Sequence, residues 1–173
     1  MVANDKIPTR YSLYFFAITA LLFLAGCTTQ LAPSYDKAVV DGLNTTNTET
    51  MTLLASMSGG TKAADYSSRA PQYTVLIGKL DALAILAASR PIPKNKISDA
   101  VNKVLEKRGT APVTEDDATP PSAHAIQKIS ETIAKMRDTD KKQGVTATEV
   151  MAFKGQVTIY FDQAITYENF LQR

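Results

Sequence analysis

The stretch VMAFKGQVTIYFDQAITYENFL, Val150 to Leu171, decides the fold. Val150, Phe153, Val157, Tyr160, Ala164, Tyr167 and Leu171 recur at alternating steps of three and four. That spacing puts all seven side chains on one face of an α-helix, where strand alternation would scatter them over two faces. Immediately upstream, Thr146 and Glu149 have the spacing of a capping box, which starts the helix by satisfying its first backbone donors.

Working back along the chain, the same period returns three times. Ile126, Ile129, Ile133 and Met136 form one stripe, and Tyr66, Ala70, Tyr73, Ile77, Leu80, Ala84 and Ala87 form another. Tyr35, Val39, Gly42, Thr46, Leu53 and Met57 form a fourth, diluted by the polar run NTTNTET. Punctuation falls between the stripes. Ser34 is the expected N-cap of the first helix and SGGT, 58–61, its end; Pro91 and Pro93 close the second. Pro71 lies inside the second pattern and is expected to kink it or delay its start. Thr119 is the expected cap of the third helix, with Pro120 in its first turn, and Gly144 its stop. Between two proline-bearing loops, KISDAVNKVLEKR, 96–108, reads as a short amphipathic helix. Sustained strand alternation is missing. The expectation is an all-α fold: an antiparallel up-down-up-down bundle of four long helices, with one short helix on its flank.

The N-terminal region has a different character. MVANDKIPTR carries Lys6 and Arg10, and YSLYFFAITALLF then runs without a charge into Leu24, Ala25, Gly26 and Cys27. A basic start, a short apolar run and small residues make a secretory signal, and Tyr11 to Gly26 falls short of the roughly 20 residues a spanning helix needs. Leu24-Ala25-Gly26-Cys27 resembles the lipobox of bacterial lipoprotein precursors. The resemblance implies a diacylglyceryl group on the Cys27 sulfur, cleavage by signal peptidase II between Gly26 and Cys27, and acylation of the new amine. It also implies, with Thr28 rather than Asp after the cysteine, an outer-membrane anchor facing the periplasm. One acyl chain holds only reversibly, whereas two or three on one residue hold durably. The expected organisation is a cleaved signal, residues 1–26, a lipidated cysteine and tether, 27–33, and a helical domain, 34–173.

Losing residues 1–26 removes Lys6, Arg10 and Asp5, so that 17 bases face 16 acids, a net charge of +1. Near neutrality gives no electrostatic case for nucleic acid. Cys27 is the only cysteine, so the exported domain relies on packing rather than disulfides.

Candidate chemistry is sparse. DTDKKQGVTATE, Asp138 to Glu149, resembles a calcium-binding EF-hand loop, with acids at its first, third and twelfth places. Lys142 stands where a ligand oxygen belongs, and Gly144 comes one place late. The local reading takes Asp138 and Asp140 as solvated, Gly144 as a C-cap and Glu149 as half of the capping box. His124, the only histidine, reads as a surface or capping residue, since a triad or zinc site needs partners. The Glu115–Asp117 run reads as a solvated loop. Tyr66, Tyr73, Tyr160 and Tyr167 read as core residues whose hydroxyls reach the surface or a partner, the alternative being a ligand slot. No catalytic residue, metal or cofactor is expected. Gly155, inside the last helix and off its stripe, points to close approach by another helix or a partner. The functional expectation is a non-enzymatic envelope protein that binds another protein. The alternatives are a small-ligand or sensor bundle and a cell-wall hydrolase working through paired carboxylates.

Overall fold

The computed structural model describes residues 32–91, 103, 106–107 and 119–172. Within them the protein is all-helical, with four long helices: α1 (Lys37–Ser56), α2 (Tyr66–Ala88), α3 (Pro121–Gln143) and α4 (Ala147–Leu171). A 3-10 turn, Ala63–Asp65, leads into α2. The lipobox residues Leu24, Ala25, Gly26 and Cys27, the Glu115–Asp117 run and most of the 96–108 segment lie outside the described residues; Lys103, Glu106 and Lys107 are helical and exposed.

α2 packs on α3, α3 on α4, and α1 on both α2 and α4, so each helix has two helical neighbours. The core follows the stripes. Ile126, Ile129, Ile133 and Met136 are fully buried, as are Val39, Leu43, Tyr73, Leu80, Val157 and Ala164. In α4 the seam centres on Phe161, while Tyr160 is only partly covered. In α1 the polar run is drawn inside through Thr46 and Thr50, each of whose hydroxyls donates to a carbonyl one turn back, at 2.8 and 2.7 Å. These bonds satisfy the hydroxyls without a partner helix, which lets threonine sit in an apolar seam. Gly42 lies against Leu83, where a Cβ would meet a leucine methyl at 2.6 Å, so α1 can approach α2 closely.

Two boundaries differ from expectation. Asp36, not Ser34, caps α1, its Oδ1 accepting from the Ala38 amide at 2.8 Å; a carboxylate complements the helix dipole better than a hydroxyl. Pro120, not Thr119, is the N-cap position of α3, and Pro121 is its first residue, where the missing amide costs nothing. Pro71 does not delay α2, which begins at Tyr66 and carries the proline in its second turn. Its missing amide leaves the Ser67 carbonyl, one turn back, without its intrahelical donor, and Ser67 is exposed, so water can take that bond.

Candidate functional site

Two charged clusters are built into the two ends of the packed helices. At one end, Arg90 follows α2, Ser122 opens α3 and Glu168 ends α4. Arg90 donates through Nη1 to Glu168 Oε2 at 2.7 Å and through Nη2 to the other carboxylate oxygen, a forked pair. Nη2 also donates to Ser122 Oγ at 3.1 Å, and Nε to the Ala87 carbonyl at 3.2 Å. Arg90 is 7% exposed and Glu168 fully buried. A guanidinium at the end of α2 takes up a helix carbonyl left without an amide and complements the dipole.

At the other end, Arg69 forks onto Asp140, Nε to Oδ2 at 2.8 Å and Nη2 to Oδ1 at 2.8 Å, and Nη2 also donates to the Lys62 carbonyl at 3.1 Å. Thr61 Oγ1 donates to Asp140 Oδ1. The Tyr73 hydroxyl lies 3.4 Å from Asp140 Oδ2 and 3.3 Å from Met57 Sδ. Burial pushes the Asp140 carboxyl up, but hydrogen bonds from Arg69 and Thr61 and the guanidinium charge outweigh it and hold it below the usual carboxylate range. Burial, reinforced by the Asp140 charge, drives the Tyr73 hydroxyl well above the ordinary tyrosine value. Asp140 is therefore a fixed anion. The expectation that it is solvated is incorrect: it is fully buried, because α2 carries Arg69 to meet it.

Two loops close this end. Thr61 N donates to the Val145 carbonyl at 2.7 Å, and Val145 N donates to Thr61 Oγ1 at 2.8 Å. The contact depends on Gly144, at φ 81°, where a Cβ would overlap the Thr61 carbonyl. Above the stitched loops lies an open cleft of about 690 Å³, bordered by Lys62, Asp65, Arg69, Gln143 and Glu149. A second groove, about 450 Å³ and largely apolar, runs between α1 and α2 past Leu53, Pro71, Val75 and Leu76.

The acids of the EF-hand-like segment do not converge. Asp138 is bonded by Arg137, Asp140 by Arg69, and Glu149 forms the capping box with Thr146. Among the described residues no three His, Cys, Asp or Glu side chains are grouped to hold a metal ion. His124 is exposed in the first turn of α3. Tyr73 is fully buried and stacks on Tyr66 with ring centroids 6.3 Å apart, and neither cleft is bordered by tyrosine. Sequence reasoning missed both clusters. The signal available was Arg90 beside a proline and Glu168 directly after Tyr167 of the α4 stripe, charges where apolar neighbours predominate.

Among the described residues no helix is long and apolar enough to cross a membrane. No protein-family model matches the chain, and no curated protein or solved structure is detectably similar to it.

Proposed function

We propose that the protein is a bacterial lipoprotein, tethered through acylated Cys27, whose helical domain works in the cell envelope as a non-enzymatic module that binds another protein. The tether reading is carried by the order of charge, apolar run and Leu24-Ala25-Gly26-Cys27. In this reading signal peptidase II cuts after Gly26, Thr28 rather than Asp after the cysteine favours an outer-membrane anchor facing the periplasm, and no cofactor or nucleic acid takes part. The binding reading is supported by large apolar side chains left in solvent on two helices, Val75 and Ile85 on α2 and Met151 and Ile159 on α4. Among the described residues both buried carboxylates are committed to arginines, which suits a scaffold better than proton transfer.

In this reading the four helices alternate in direction. The ends of α2 and α4 meet the start of α3 at Arg90, and the start of α2 meets the end of α3 at Asp140. The 96–108 segment is the short flanking helix.

A palmitate analogue supplied to cells tests the tether. The wild-type chain is expected to take up label and Cys27→Ala to take up none; an unlabelled wild type refutes it. Crosslinking from α2 and α4 positions in intact cells tests the binding role.

The cleft beside Lys62 and Glu149 favours one second reading, a small polar ligand bound at the loop end. A ligand co-purifying with wild type and lost in Lys62→Ala, seen by native mass spectrometry, would support it.

A further inference from the structure

The buried polar links that fasten the helices together leave α1 out. Arg90, Ser122 and Glu168 join α2, α3 and α4; Asp81 accepts from Ser130 between α2 and α3; Arg69 ties α2 to Asp140 of α3. α1 instead shows the core Val39, Leu43, Leu53 and Leu54, with Thr46 and Thr50 in the gap between Leu43 and Leu53. Both threonines direct their hydroxyls to carbonyls of α1 itself, so these bonds do not hold the helix to its neighbours. Its ionic link to α2 is Glu49 with Lys79, side chains 37% and 45% exposed, a kind of pair that contributes little in water. Asn47 Oδ1 is buried in the docked helix without a hydrogen-bond partner, a cost that hydration removes. α2 and α4 each pack more extensively on α3 than on α1.

α1 is also a poor helix on its own. Thr45, Thr46, Thr48, Thr50 and Thr52, with Asn44, Asn47 and Gly42, fill its middle, and these residue types rank low in helix propensity. Off the core, such a segment does not stay helical. Past its C-terminal end the chain is first loose and then fastened. A Cβ on Gly59 would meet nothing within 4 Å, and Gly60 takes φ 88°. Directly after them Thr61 is held: its amide donates to the Val145 carbonyl at 2.7 Å, its hydroxyl donates to Asp140, and its Oγ1 accepts from the Val145 amide at 2.8 Å.

We infer that α1 is a releasable arm, which leaves the core as one unit and turns at Gly59–Gly60 while the Thr61 clip and the assembly of α2, α3 and α4 stay in place. Release exposes Leu43, Leu53 and Leu54 and the surfaces they cover, so the docked form dominates and the open form is a minor state of the same fold. The use of the arm rests on the tether reading. With α1 docked, Pro33 is buried, and the chain from Cys27 to Pro33 spans at most about 20 Å. With α1 unravelled as far as Gly59, the chain from Cys27 spans up to roughly 100 Å. The arm therefore sets how far from its anchor the rest of the domain can work, and a pull between anchor and bound partner favours the long form.

The test uses the full-length chain extracted from its host membrane in detergent, with amide hydrogen exchange read by mass spectrometry in urea below the unfolding transition. Peptides within 39–54 are expected to exchange together, at least about tenfold faster than those within 126–136 of α3, and with a urea dependence shallower than that of α3 but not flat. Gly42→Cys/Leu83→Cys supplies a lock, because a Cβ on Gly42 stands 3.6 Å from Leu83 Cγ, which suits a disulfide without backbone movement. Oxidised, the lock is expected to slow α1 to the rate of α3; reduced with dithiothreitol, it is expected to leave α1 fast. Equal rates and equal urea dependence in α1 and α3 overturn the inference, since the helices then open only together. A flat urea dependence in α1, which reports residue-by-residue fraying, overturns it as well, and so does a disulfide that forms without slowing α1. Palmitate label read on the same preparation separates the two claims. Label with α1 and α3 exchanging together discards the arm alone, and fast α1 exchange without label discards the anchor alone.

Discussion

Removing Glu168 alone leaves Arg90 at 7% exposure with a formal charge and only Ser122 Oγ and the Ala87 carbonyl as partners. Breaking a buried ion pair by deleting one partner costs about 3–5 kcal/mol, most of it the penalty of the stranded charge. Against a total stability of roughly 5–15 kcal/mol, that is a large share. Glu168→Ala is therefore expected to lower the melting temperature by about 10 °C, at around 3 °C per kcal/mol for a domain of this size. Arg90→Ala should do the same, stranding the fully buried carboxylate. The double variant Arg90→Met/Glu168→Leu leaves no charge and restores apolar volume, so its stability should return to within about 1 kcal/mol of wild type or exceed it. Urea titrations of the two single variants and the double form the assay. The reasoning fails if either single variant costs less than about 1 kcal/mol, or if the double is as unstable as the singles.

Three further outcomes follow from the same structure. The Asp140 carboxyl has a depressed folded value, so its contribution is present above the unfolded carboxylate range near 4 and is lost as pH falls through the folded value; acid unfolding followed by circular dichroism should shift less steeply with pH below 4 in Asp140→Asn than in wild type. Gly144→Ala places a Cβ on a residue at φ 81° and against the Thr61 carbonyl, and should cost about 2 kcal/mol or more in a denaturant titration, separating the stitched loops. Gly155→Ala meets nothing within 4 Å and should gain about 0.5–1 kcal/mol in the isolated protein, an outcome read from the same titration.

The helices were legible because their signal is local. Ile126, Ile129, Ile133 and Met136 announce a buried face through spacing alone, and all four are fully covered. The Thr146–Glu149 box was legible for the same reason, since both its bonds span three residues. Caps were less so: Ser34 and Asp36 both suit an N-cap chemically, and the choice depends on where the tertiary contacts of Val39 and Leu43 begin. The ion clusters were not legible. Arg69 and Asp140 are 71 positions apart and Arg90 and Glu168 are 78 apart, so only the packing of α3 against both α2 and α4 pairs them. Asp140, taken alone, sits on a lysine-rich helix end and looks solvated; its neighbours in space, not in sequence, bury it. Gly155 remains the residue whose sequence oddity the fold does not absorb, since it stands exposed with open space around it.

The intact mass of the protein extracted from membranes with detergent bears most directly on the tethered account. The account requires a chain beginning at Cys27, heavier than its amino acids by a diacylglyceryl group on sulfur and an acyl group on the new amine. A chain still carrying residues 1–26, with Cys27 unmodified, contradicts it.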